Sequence, residues 1–83
     1  MSVLFYPIAT EKAINMIERN NVITYVVDSR ANKAAIKKEF EDVFKVKVEK
    51  VNTEIEIGNR KRAFIRISKS FKASDIALKL KLV

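Results

Sequence analysis

Cysteine, histidine and tryptophan are absent from these 83 residues, and glycine and proline occur once each. Without thiols or imidazoles the chain cannot form disulfides, zinc sites of Cys/His type, thiolate nucleophiles or imidazole general bases. The single glycine, Gly58, excludes the glycine-rich loops that cradle phosphates in many enzymes. Long apolar runs are also missing. Nothing approaches the roughly 20 residues that span a bilayer, and the start MSVLFYPIATEK lacks the basic opening and long apolar middle of a secretion signal, so no membrane insertion and a cytoplasmic setting are expected. No catalytic residue, metal or cofactor is expected.

Acidic side chains are missing from one stretch in particular. Residues 58–72 hold Arg60, Lys61, Arg62, Arg66, Lys69 and Lys72 and no Asp or Glu, whereas residues 1–57 hold nine basic and nine acidic side chains. Almost all of the net charge of +7 therefore lies in NRKRAFIRISKSFK. A content of 48% apolar residues, rich in Ile, Val, Leu and Phe, fits a folded chain rather than a disordered one. At this length it fits one domain with a core only just large enough.

Residues 3–6 are apolar and β-prone, with Pro7 to end a short edge strand. Thr10 can cap a helix running from about Glu11 to Arg19, with Ile14 and Ile17 on one face and Asn20-Asn21 to close it. VITYVV (22–27) is apolar on both faces, as an interior strand requires. Asp28-Ser29-Arg30-Ala31 is a turn, and Asn32 caps KAAIKKEFEDVFK, where Ile36, Phe40, Val43 and Phe44 share a face and Lys37 with Glu41 and Lys38 with Asp42 stand at pairing distance. Next, VKVEKVNTEIEI alternates, but its apolar residues change phase between Val48 and Val51, which calls for a bulge near Glu49-Lys50. Gly58-Asn59 is a turn, residues 63–68 are the second arm of a hairpin, and KASDIALKLKLV supports a final helix, with Ile76, Ala77 and Leu80 inward and Ser70 or Ser74 as its cap. The expected architecture is a single α+β domain. A mainly antiparallel four-stranded sheet carries packed helices in the order strand, helix, strand, helix, strand, strand, helix.

Six clustered cations without acids are a footprint for a phosphate-rich partner, because each neutralised phosphate releases condensed counterions. A solvated hairpin is the alternative explanation. Phe64, on the same predicted face as Arg66, can stack on an unpaired base or pack beneath a helix. The aromatic signature of an RNA-recognition sheet is absent. Glu54 and Glu56 share a strand face, but two exposed carboxylates on a strand are ordinarily its wet face and not an acid–base pair. Small basic α+β hydrolases of acyl phosphates match in size and class, yet the phosphate loop they depend on has no counterpart here.

PIATEKA (7–13), NKAAIKKEFEDVFKVKVEKVNT (32–53) and KRAFIRIS (61–68) together resemble, in order and spacing, the large-subunit ribosomal protein family numbered twenty-three, found at the nascent-chain exit. The resemblance covers nearly the whole chain. Bacterial members carry a long glycine-rich basic hairpin loop, of which about GNRK remains here, and SDIALKLKLV is similar to archaeal and eukaryotic relatives. The long basic N-terminal extension of the eukaryotic ones is missing, so an archaeal type of member is expected. The resemblance implies a non-catalytic structural role, with binding to large-subunit ribosomal RNA beside the exit tunnel and contacts to neighbouring ribosomal proteins. It also implies docking of nascent-chain factors such as the signal recognition particle. Carried onto this chain, it adds Lys12, Lys33, Lys37, Asn52 and Thr53 to the RNA-facing residues and makes Glu11, with Glu18 on its helix, the docking edge. Glu11 also suits the positive end of a helix without any partner. Two other functions remain open from the sequence: a nucleic-acid-binding module acting outside the ribosome, and a small basic domain that meets an acidic protein.

Overall fold

Two side-chain oxygens set the starts of the longer helices. In the computed structural model, which describes residues 3–58 and 60–81, Thr10 Oγ1 accepts from the Ala13 N–H at 3.2 Å and opens α1 (Glu11–Asn20). Asn32 Oδ1 accepts from the Ala35 N–H at 2.8 Å and opens α2 (Lys33–Phe44). Each contact satisfies an N–H that a helix start leaves free, typically worth about 1 kcal/mol. Both helices stop on left-handed residues, Asn21 (φ 58°) and Lys45 (φ 57°). Asparagine tolerates that conformation, and at Lys45 its cost is offset by the bond from the Lys45 N–H to the Glu41 carbonyl, 2.9 Å.

The strands β1 (Leu4–Pro7), β2 (Val22–Val27), β3 (Val48–Ile55) and β4 (Lys61–Ile67) and the helix α3 (Ala73–Lys79) complete the expected α+β order. They form one antiparallel sheet in the order β1-β2-β4-β3, with β1 at an edge and β2 inside. The turn after β2 is the expected one: the Ala31 N–H donates to the Asp28 carbonyl, and the Asp28 carboxylate accepts from the Arg30 N–H and guanidinium. Those bonds, the guanidinium first, hold the Asp28 carboxyl below its usual range.

One face of the sheet carries the core. Ile23, Tyr25 and Val27 of β2, Ala63, Ile65 and Ile67 of β4, and Val48 and Val51 of β3 are buried with Ile36 and Phe40 of α2 and with Ala73, Ile76 and Ala77 of α3. Phe40 meets the Tyr25 ring edge-on at 6.2 Å and Phe44 at 4.5 Å. The change of phase in β3 is a bulge. Val48 stands opposite Ile67 and Lys50 opposite Arg66, so Glu49 is the extra residue, and Val48 and Val51 both reach the core although three apart.

Several expectations are corrected. Val43 is 58% exposed, because the turn at Lys45 brings Val46 rather than Val43 back against the core beside Phe44. Ile55 and Ile57 are exposed at the end of the hairpin. Neither of the helical ion pairs of α2 is closed among the described residues. Glu41 instead accepts from the Val48 N–H at 2.8 Å and pins the start of β3. Asn59 of the expected turn lies outside the described residues, as do the last two residues of the expected tail helix. Gly58 has φ 87°, and the Glu56 N–H reaches the Arg60 carbonyl at 2.7 Å across the turn.

Neither serine caps α3. Its N-cap is Lys72, with no side-chain bond, and the donor at its first turn is satisfied from far away: Asn21 Oδ1 accepts from the Ala73 N–H at 2.6 Å. Asn21 Nδ2 donates to the carbonyls of Ile67 at 3.0 Å and Phe71 at 3.1 Å, and the Asn21 carbonyl accepts from the Ile67 N–H at 2.9 Å. One residue thus closes α1, ends β4 and starts α3. Asn21→Gly keeps the left-handed backbone and removes only the side-chain bonds, so it is expected to cost about 2 kcal/mol, read as a lower urea midpoint with unchanged slope. A loss below about 0.5 kcal/mol would show that the junction holds without the amide.

Candidate nucleic-acid interface

The second face of the sheet is half covered. Val22, Thr24 and Val26 of β2 are buried there, although they lie outside the main core cluster. The segment 8–10 and α1 cover them: the Ile8 N–H bonds the Thr24 carbonyl, and Thr10, Ala13 and Met16 border Thr24. Among the described residues, no helix lies over β3 and β4 on this side. Strand register decides which side chains they present, since residues directly opposite in an antiparallel pair share a face. Lys50 stands opposite Arg66, Asn52 opposite Phe64, and Glu54 opposite Arg62.

Along the border with α1 runs an open cleft of about 380 Å³. One wall is Lys12, Met16 and Asn20, a stripe at four-residue spacing on α1, and the floor is Val22, Asn52, Phe64 and Arg66. Phe64 is half-buried beside α1 and does not belong to the core cluster. Among the described residues no acidic side chain lines this cleft, and Glu54 lines the adjoining smaller space with Lys12, Met16 and Phe64. Further along β4 the charge is partly cancelled: Arg62 Nη2 lies 2.7 Å from Glu56 Oε1, with about a third of each side chain exposed. That contact is an ion pair and not an aligned hydrogen bond, and Arg62 Nε is buried without a partner among the described residues. Thr24 Oγ1 is likewise buried and unpartnered there, beside a small space of about 80 Å³ that Arg62 and Glu54 also border.

The cations adjacent in sequence are therefore dispersed in space. Arg62 and Arg66 point to the half-open face, and Arg60 is exposed at the hairpin end. Lys61 points to the core side, where its ammonium donates to the Ala31 carbonyl at 2.6 Å and ties the hairpin to the turn before α2. Lys69 is exposed in the turn after β4. Lys72, also exposed, borders a separate groove with Lys45, Lys79 and Asp75. Lys33 and Lys37 are exposed on α2, the layer on the other side of the sheet, and Thr53 is half-buried on the core side opposite Ala63. Of the twelve residues expected to face RNA, Lys12, Asn52, Phe64 and Arg66 meet in one place. Met16 and Asn20 line the same cleft and Lys50 stands opposite Arg66 beside it, and none of the three is singled out by the sequence as RNA-facing. Period two in β3 from Asn52 and period four in α1 from Lys12 carried the signal.

Glu11 and Glu18 are exposed and lie two helical turns apart on one side of α1, away from the buried Ala13 and Ile17.

The model of the ribosomal protein L23 family matches residues 2–81. The chain belongs to the ribosomal protein L23 family. It is 48% identical over 81 residues to the large ribosomal subunit protein uL23 of Trypanosoma brucei brucei, covering 98% of this chain and 49% of that one. It is 40% identical over 79 residues to the protein of the same name from the archaeon Methanothermobacter thermautotrophicus, covering 95% of this chain and 92% of that one. The chain thus spans about half the length of the trypanosome relative and nearly all of the archaeal one. The family is structural and non-enzymatic.

The contact of Lys61 with Ala31 gives this cation a structural task in the fold. Lys61→Met is expected to lower stability by about 1 kcal/mol, the worth of a half-exposed charged hydrogen bond, without altering the salt dependence of RNA binding. Paired urea melts and salt titrations measure both. A changed salt slope at full stability would return Lys61 to the interface.

Proposed function

We propose that the protein is a structural component of the large subunit of the cytoplasmic ribosome, that it holds ribosomal RNA beside the polypeptide exit tunnel, and that it offers a docking surface to nascent-chain factors. Membership of the ribosomal protein L23 family supports the ribosomal role. The observation that carries the RNA contact is the acid-free end of the half-open face, where Lys12, Lys50 and Arg66 surround Asn52 and Phe64. Phosphates favour such a surface because the cations release counterions on contact. Neighbouring ribosomal proteins complete the setting. The exposed side of α1 with Glu11 and Glu18, turned away from the sheet, suits a basic partner such as the signal recognition particle.

Sedimentation with large subunits tests the ribosomal role. Failure of the protein to travel with them on a gradient would favour a free-standing nucleic-acid-binding module or a partner of acidic proteins. On isolated subunit RNA, Arg66→Ala combined with Lys50→Ala is expected to flatten the slope of log affinity against log salt by about 1.4 to 1.8, two contacts at roughly 0.7 to 0.9 each. An unchanged slope would remove both residues from the interface.

Glu11→Ala tests the docking side. Removing one charge-assisted contact is expected to weaken binding of the signal recognition particle to subunits by about 1 to 3 kcal/mol, with normal retention of the protein on the subunit. Normal binding would leave Glu11 as an acid at a helix start and nothing more. Loss of retention would assign it to the RNA side.

A further inference from the structure

The cleft between α1 and β4 has the size, lining and charge of a site for one nucleotide. Its volume, about 380 Å³, falls within the range of roughly 300 to 1,000 Å³ typical of small-ligand sites. Its contents are also unusual for a hairpin surface. An aromatic ring that the core does not use shares the lining with the amides of Asn20 and Asn52, with Val22, and with the cations Lys12 and Arg66, and Asn52 stands directly opposite it in the sheet. We infer that this cleft receives a single unstacked RNA base on the Phe64 ring, with the phosphates of that nucleotide held by Lys12 and Arg66. The inference rests on the RNA-binding reading above and specifies the ligand of that site.

Three physical points favour a base over a phosphate backbone alone. An anion needs only the two cations, and the Phe64 and Val22 surfaces add nothing to it. An unstacked base supplies an apolar face for the ring, and its edge offers donors and acceptors for the amides of Asn20 and Asn52. Bases within a duplex cannot reach a cleft floor, so the site selects single strands, loops or bulges. Acidic peptides fit less well, because they would leave the aromatic floor unused, and basic ones would meet Lys12 and Arg66.

The test compares hexa-adenylate with a blunt A-form RNA duplex as probes, each followed by fluorescence anisotropy against the wild type, Phe64→Leu and Phe64→Tyr. Phe64→Leu is expected to weaken hexa-adenylate by about fivefold or more, and Phe64→Tyr is expected to retain it, since base stacking on an aromatic is lost only in the first. Duplex affinity should stay the same in all three. Independently of any variant, hexa-adenylate should shift the Met16 and Val22 methyl resonances of the wild-type protein by ring currents, and the duplex should not. If Phe64→Leu affects both probes equally or neither, or if the methyl groups do not move, the cleft is not a base site while the RNA-binding reading stands. If the wild type binds neither probe nor subunit RNA, both readings fail together.

Discussion

The side-chain amide of Asn21 is the constraint on which the arrangement of elements depends. Its backbone has to be left-handed to stop α1 and let β2 begin one residue later. Its side chain then joins the end of β4 to the start of α3, through partners more than forty residues away in sequence. With α3 fixed there, Ala73, Ile76 and Ala77 close the core, and α1 is held against the second face of the sheet. An 83-residue domain has little apolar surface to spare. A polar junction that satisfies several backbone groups at once therefore has more influence than its own hydrogen bonds would have in a larger protein.

Given that arrangement, the sheet sorts the charge. A strand places successive side chains on opposite faces, so a basic run such as Arg60-Lys61-Arg62 cannot form a single patch. Lys61 becomes part of the scaffold, Arg62 is partly cancelled by Glu56, and Arg66 keeps its charge beside Lys50. A count of cations along the chain overestimates the interface by the number that the fold uses internally. The positive potential that remains comes from three elements: α1, β3 and β4.

The elements themselves were legible because their determinants are local. Thr10 and Asn32 each bond a backbone group three residues on, and the phase change around Glu49 is visible in the spacing of Val48 and Val51. What escaped the sequence was non-local. Ser70 is a sound local cap for the Ala73 N–H, but Asn21 reaches that N–H across the fold and takes its place, and α3 starts one residue before Ser74. Lys37 with Glu41 had the right spacing, but the carboxylate gains more from a strand N–H that has few other partners than from an exposed ammonium. The site followed the same division. Phe64 and Arg66 were readable as one face, whereas their meeting with Lys12, Met16 and Asn20 depends on where α1 lies, and no local pattern in β4 encodes that.

The position of α1 also explains how a domain this small can present two surfaces of opposite character. Adjacent residues on a helix point about 100° apart, from 3.6 residues per turn. Glu11 and Lys12 therefore diverge: the lysine borders the cleft, and the glutamate faces outward with Glu18. If α1 lay flat over the centre of the sheet, both of its flanks would adjoin the basic face, and its acidic edge would offset the positive charge there. Set over β2 and reaching through Ile17 into the core cluster that α3 shares, the helix leaves β3 and β4 open and keeps its acids on the side away from the buried Ala13 and Ile17. The helix acts as a partition, and its offset from the centre of the sheet is what allows a positive cleft and an acidic edge to coexist within ten residues.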